Sequence, residues 1–149
     1  MPDVTIYTDG SWKSRIQAGG WSCLMVSGPY WQILSGYTGN TTISRMELTA
    51  VATALESLNT PCNVTVVSDS QYVVKSINEW IRNWYHNNWK TSKKTTVDNV
   101  DLMMRIAAQM LTHNVRARWI KAHTRRKGID YLGNGCVDWF AQYNANLFR

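Results

Sequence analysis

Acidic residues are scarce in this chain: Asp and Glu number 10 against 16 Lys and Arg, leaving a formal charge of +6. Such a surplus attracts polyanions, yet net charge alone does not choose nucleic acid over an acidic membrane surface. No Pro/Gly/Ser-rich stretch reads as a linker, so the 149 residues, 44% of them hydrophobic, are expected to form a single domain over residues 1–149. No apolar run approaches the roughly 18 residues that suggest a membrane-spanning helix. The opening Met1-Pro2-Asp3-Val4 also differs from the basic-then-apolar composition of a secretory leader. A soluble, cytoplasmic protein with no membrane partner is the expectation. Cys23, Cys62 and Cys136 are odd in number and widely spaced, which argues for core thiols in a reducing compartment rather than a zinc or redox motif.

Val4 to Tyr7 reads as a first strand ending in a turn at Asp9-Gly10-Ser11. Gly19 to Val26 and Trp31 to Tyr37 follow as two more strands around Ser27-Gly28-Pro29-Tyr30, an antiparallel meander. Leu48, Val51, Ala52, Leu55 and Leu58 recur at helical spacing up to Asn59-Thr60-Pro61. Val64 to Val67 is a β-branched run suited to a buried parallel strand. A second helix is expected from Tyr72, carrying Val73, Ile77, Trp80 or Ile81, and Trp84 on one side and interrupted at Asn87-Asn88. Another is expected around Val100 to Leu111. Val115 to Ile120 alternates as a half-buried strand does, and residues 131 to 145 suit a closing helix. The order implies an α/β fold with a mixed sheet.

With so few acids, their placement matters. Each of Asp9, Glu47 and Asp69 has a local explanation: Asp9 in a turn, Glu47 in a Ser44-to-Glu47 capping box, and Asp69 capping the helix that starts near Gln71. Together they say more. If the first strand and Val64 to Val67 lie side by side and parallel, Asp9 and Asp69 leave the sheet at the same edge. Glu47 sits in the first turn of the intervening helix, and Asp138 lies in the last helix with Asn134 one turn before it. Four converging carboxylates repel one another unless cations neutralise them, and an all-oxygen donor set suits Mg²⁺ or Mn²⁺. Zinc fits less well, because His86, His113 and His123 have no Cys partners and no His-Glu-x-x-His spacing. His86 and His113 read as solvent-facing or structural. His123 follows a strand within a polar loop, where it could carry a proton near neutral pH.

In order and separation, Tyr7-Thr8-Asp9-Gly10-Ser11, Arg45-Met46-Glu47-Leu48, Asp69-Ser70-Gln71-Tyr72-Val73, Trp89-Lys90-Thr91, Asn99-Val100-Asp101-Leu102, Val115 to Lys121 before His123, and Cys136-Val137-Asp138 resemble the ribonuclease H family of type one over nearly the whole chain. The resemblance implies a five-stranded mixed sheet in the order 3-2-1-4-5 with helices on both faces. It implies Asp9, Glu47, Asp69 and Asp138 as metal ligands, His123 as a flexible-loop histidine, and a basic protrusion at about residues 80–95 containing Trp80, Trp84, Lys90, Lys93 and Lys94. Thr42 and Asn99 are implied to hold a DNA phosphate, Trp80 to lie near a DNA sugar, and Ser11 and Gln71 to face RNA. Lys121 and Asn134 complete the implied substrate contacts. Ile43 and Ser44 depart from the family pattern, standing where many bacterial members carry an asparagine pair.

The implied activity is hydrolysis of the RNA strand of an RNA/DNA hybrid, to 5′-phosphate and 3′-hydroxyl ends, with two Mg²⁺ ions at the scissile phosphate. No obligate protein partner is expected, and a monomer is the default. Two alternatives remain open from sequence. A DNA-cutting nuclease of the same superfamily would prefer branched or duplex DNA, and a non-enzymatic basic binding module would need no divalent ion.

Overall fold

The computed structural model describes residues 1–121. The expected closing helix, Cys136, His123, Asn134 and Asp138 lie outside the described residues. Five strands form one sheet in the order β3-β2-β1-β4-β5: β1 Asp3–Lys13, β2 Ala18–Ser27, β3 Tyr30–Thr38, β4 Asn63–Ser68 and β5 Asn114–Trp119. The first three are an antiparallel meander, while β4 runs parallel to β1 and β5 parallel to β4. Among the described residues, no helix is long and apolar enough to cross a membrane.

α1, Ile43–Glu56, connects β3 to β4 and buries Leu48, Val51, Ala52 and Leu55 against the sheet. The stripe is the one its spacing predicts, because positions three and four apart share a helix face. α4, Val100–Thr112, packs Leu102, Met103 and Ile106 into the same core. The opposite face of the sheet buries Tyr7, Val67 and Ile120, with Leu24 and Val26 packed against them. Cys23 and Cys62 are unpaired and buried, and burial pushes the Cys23 thiol up to about 12. His113 is structural: it is buried, and its Nδ1 accepts the Cys62 N–H at 3.1 Å.

Three sequence expectations change. β1 does not turn at Asp9-Gly10 but runs on to Lys13, and the connection to β2 falls at Ser14 to Gln17. The cap of α1 is Thr42, whose Oγ1 accepts the Arg45 N–H at 3.2 Å, so Ser44 lies inside the helix and the expected capping box does not form. The helix expected from Tyr72 is three pieces: α2 Gln71–Lys75, a π-helical turn Ser76–Trp80, and α3 Ile81–His86. Val73, Ile77 and Ile81 are all buried at successive four-residue steps, which drift around an α-helix of 3.6 residues per turn; the wider turn keeps all three facing inward. That turn also aims Asn78 at the sheet edge, where its amide pairs with the Ala117 N–H at 2.8 Å and the Ala117 carbonyl at 2.9 Å.

Leu55 is fully buried, so Leu55→Ala is expected to lower unfolding free energy by about 2–5 kcal/mol. Met104→Ala, at a half-exposed position of α4, should stay within about 0.5 kcal/mol. Urea titrations of the two variants beside the parent measure both.

Candidate active site

The parallel register pairs Tyr7 with Val67. Asp9 and Asp69 each stand two residues further on: Asp9 stays within β1, opposite Ser22 of β2, while Asp69 follows the end of β4, so both lie just past the last β1–β4 pair. Glu47 arrives from above on α1. Gly10 permits this approach: a Cβ there would lie 2.7 Å from the Glu47 amide nitrogen and 2.9 Å from the Met46 Cβ. Gly19 clears the same bed, since a Cβ on it would lie 2.6 Å from Met46 Cγ. One carboxylate oxygen from each of Asp9, Glu47 and Asp69 comes within 4.8 Å of the others. Asp9 is buried, while Glu47 and Asp69 are partly exposed.

The turns around these acids are pinned by neighbours. Asp9 Oδ1 accepts the Gly10 N–H at 2.9 Å. Ser68 Oγ accepts the Ser70 N–H at 3.0 Å, and Ser70 Oγ caps α2 by accepting the Val73 N–H at 3.2 Å. The cap is therefore Ser70 and not Asp69, which leaves the Asp69 carboxylate for the cluster. Trp119 Nε1 donates to the Asp69 carbonyl at 3.1 Å, tying β5 to the same turn. Burial pushes Glu47 up to about 7; a Ser70 hydrogen bond opposes the rise and the negative charge of Asp69 adds to it. A carboxyl group so placed gains most when a cation joins it.

The other expected site residues divide into groups. Thr42 caps α1 and Asn99 precedes α4; the two helix starts are joined by Arg45, whose guanidinium forms two bonds to Asp101 at 2.7 and 3.0 Å and a long one to Asn99 Oδ1 at 3.4 Å. That pairing holds the Asp101 carboxyl down at about 2. Trp80 and Trp84 pack with ring centres 5.7 Å apart and planes tilted by 45°. They line a depression of about 820 Å³ together with Lys90 and Lys94. The protrusion is a loop after His86, braced where Val97 N–H donates to the Trp89 carbonyl at 3.0 Å and Lys90 Nζ to Thr96 Oγ1 at 3.1 Å. Lys93 is exposed on it. Ser11 is half-buried on β1 opposite Gly20, Gln71 is exposed at the start of α2, and Lys121 is exposed just past β5.

Sequence reasoning gave no supporting role to Ser70, Trp119 or Arg45 and read Gly10 only as part of a turn. Ser70 carried the only local signal, a hydroxyl residue just before a helical run. Gly10 looked like a turn because its need is set by α1, some 35 residues away in the chain.

Two outcomes follow. Gly10→Ala should weaken Mn²⁺ binding, measured calorimetrically, by about 10–100-fold, as losing a ligand's support typically does, with the far-ultraviolet dichroism unchanged. Glu47's folded value lies above its ordinary 4.5, so the folded state holds the extra proton between those values. The stabilising contribution is full below about 4.5 and disappears as pH rises through about 7. In chelator, parent stability should therefore fall across that window relative to Glu47→Gln, read as the difference in urea midpoints.

The family model of RNase H matches residues 1–146. The ribonuclease H of Verminephrobacter eiseniae (strain EF01-2) is 44% identical over 143 residues, covering 93% of this chain and 92% of that protein. The ribonuclease HI of Caulobacter vibrioides (strain ATCC 19089 / CIP 103742 / CB 15) is 47% identical over 122 residues, 82% of each chain. Among solved structures, the solution structure of the PFV RNase H domain aligns with a TM-score of 0.83 at 26% identity, covering 99% of this chain and 96% of that one. Sheet order, acidic cluster and these matches agree, and the chain belongs to the ribonuclease H family.

Proposed function

We propose that this protein is an endonuclease that hydrolyses the RNA strand of RNA/DNA hybrids with the help of divalent ions, acting as a single-domain monomer in the cytoplasm. The observation that carries the reading is the convergence of Asp9, Glu47 and Asp69 within 4.8 Å in a chain of this family. The donor set fits hard cations: it is all carboxylate, and Glu47 stays protonated up to about pH 7 until positive charge arrives. Asp9, Glu47, Asp69 and Asp138 would hold two Mg²⁺ ions, with Mn²⁺ as a substitute, and Asp9 shared because it lies on the central strand. When bound, such ions supply Lewis-acid stabilisation of the charge that builds on phosphate oxygens during in-line displacement.

The chain's own groups do the rest. Ser70 fixes the Glu47 carboxylate, which is placed to accept a hydrogen bond from the ribose 2′-hydroxyl that separates RNA from DNA. Water oxygen bonds to phosphorus as the P–O3′ bond breaks, and His123 carries a proton to or from the reacting oxygens. A 5′-phosphate and a 3′-hydroxyl result. Thr42 and Asn99 take a DNA phosphate and Trp80 a DNA sugar, with Trp84 behind it. Ser11 and Gln71 face the RNA side, Asn134 is a further substrate-binding residue, and Lys90, Lys93, Lys94 and Lys121 supply backbone charge.

The test is product analysis on labelled hybrid, duplex RNA and duplex DNA, with Mg²⁺ supplied and then chelated. Cleavage confined to the RNA of the hybrid and abolished by chelation is expected; equal cutting of all three overturns the selectivity. Asp69→Asn should reduce cleavage by at least about a hundredfold, the scale of losing a main electrostatic group, while its thermal midpoint stays at or above that of the parent in chelator.

A further inference from the structure

We infer that Ser22 is a positioning residue for the metal site, its hydroxyl holding the Asp9 carboxylate in the orientation in which cations bind it. The inference rests on the metal binding proposed above and deepens it. Among the described residues, three buried side-chain hydroxyls, Thr8 Oγ1, Ser22 Oγ and Thr41 Oγ1, have no hydrogen-bond partner. A buried hydroxyl left unpaired is costly, and natural folds keep few of them. Of the three, Ser22 stands beside a carboxylate of the acidic cluster.

β1 and β2 are antiparallel and pair Asp9 directly with Ser22. Directly opposed residues point to the same face of a sheet, with Cβ atoms about 4.5–5.5 Å apart. A second route leads to the same face. Asp9 is two residues from Tyr7 and Ser22 two from Leu24, and Leu24 packs against the cluster that contains Tyr7. Thr8 takes the opposite face, with Ile6 of the main core, and Thr41 lies outside the sheet, ahead of α1. Ser22 is fully buried and Asp9 only 6% exposed, so little water competes for a bond between them.

On its other side Ser22 faces Ser35 of β3, which is exposed. Asp9 is the stronger acceptor, since a hydrogen bond to an ionised oxygen is roughly twice as strong as one between neutral groups. A serine hydroxyl turns toward one neighbour or the other by rotation about χ1. Asp9 Oδ1 accepts the Gly10 N–H at 2.9 Å, which restrains one oxygen from its own strand. A donor from β2 restrains the carboxylate plane from the side. A carboxylate has about four lone-pair sites, so Asp9 accepts both donors and still offers oxygens to cations. Hydrogen bonds of this kind orient a ligating group before the ion arrives.

Ser22→Ala therefore acts in opposite directions on stability and on metal binding. Removing an unpaired hydroxyl relieves the fold, whereas removing the donor behind Asp9 weakens its hold on cations. A hydroxyl of structural use only gives no such split. In chelator the urea midpoint of Ser22→Ala should lie at or above that of the parent. Its Mn²⁺ affinity, measured calorimetrically, should fall about tenfold, the lower end of what losing an outer hydrogen-bond partner costs a metal site. Half-maximal cleavage of hybrid should need about tenfold more Mg²⁺, with the rate at saturating ion within about twofold of the parent. Ser22→Thr, which keeps the hydroxyl, should bind Mn²⁺ as the parent does. Unchanged affinity in Ser22→Ala, a midpoint below that of the parent, or an equal loss of affinity in Ser22→Ala and a folded Ser22→Thr overturns the role of Ser22. Should Ser22→Thr not fold, Ser22→Gly takes its place and should match Ser22→Ala; a further loss from Ala to Gly overturns the role, because it follows volume and not the hydroxyl. A parent that binds Mn²⁺ but leaves hybrid uncut overturns the proposed function alone, and the calorimetric comparison still decides the role of Ser22. A parent that binds no Mn²⁺ overturns both.

Discussion

Gly10 has no side chain, and the first turn of α1 occupies the volume where one would stand. The neighbours are backbone nitrogen and the root of a side chain, neither able to swing aside, so β1 and α1 meet at a distance fixed by packed atoms. Leu48, Val51 and Leu55 hold α1 down on the sheet behind that contact. The hydrophobic burial of one helix face thus sets the height of Glu47 above Gly10 of β1. Parallel pairing of β1 with β4 sets the lateral spacing of Asp9 and Asp69 in the same rigid way. Three like charges are brought together by forces that act elsewhere, and packing of α1 alone far exceeds the repulsion at a partly exposed edge.

The sheet and its helix order were legible in the sequence because each strand alternates or runs apolar and each long helix keeps one stripe. The misread places are those where a local pattern serves a distant partner. Asp9-Gly10 has the composition of a turn, yet its glycine answers to Glu47 and Met46 and the strand continues. Ser44 and Glu47 have capping-box spacing, yet Thr42 already satisfies the first turn and Glu47 is committed to Ser70 and the acidic cluster. The π-helical turn is written only as four-residue steps between Val73, Ile77 and Ile81, which an ordinary helix tolerates for a turn or two. Asp9, Glu47 and Asp69 could be grouped from sequence because the parallel pairing of β1 with β4 and the start of α1 are predictable, although Asp9 sits within its strand and not at its exit. Their supports could not, since Trp119 reaching the Asp69 carbonyl depends on β5 lying beside β4.

The Arg45–Asp101 pair illustrates why a contact's energy and its use differ. Both side chains are substantially exposed, where an ion pair adds about 0–1 kcal/mol to stability. Its geometry is worth more than that figure suggests. Two bonds in a planar fork fix the guanidinium, and its Nη1 also reaches Asn99 Oδ1 at 3.4 Å. Arg45 stands two residues before Glu47 on α1 and Asp101 in the first turn of α4, so the pair joins the helix that carries Glu47 to the start of α4.

Charge is distributed unevenly along the chain. From Ile16 to Ser44 there is no charged residue at all, so β2, β3 and their turn carry none of the positive surplus. Arg82, Lys90, Lys93 and Lys94 lie on or beside the protrusion, and Arg116, Arg118 and Lys121 on or just beyond β5. Among the described residues, none of these cations belongs to β2 or β3, while the carboxylates stand just past the last β1–β4 pair. A phosphate drawn by the first set meets repulsion at the second. The two are compatible only when cations sit between phosphate and carboxylate, which makes monovalent and divalent salt act in opposite directions: the former competes for the basic surface, and the latter relieves the like charge that would hold the backbone away.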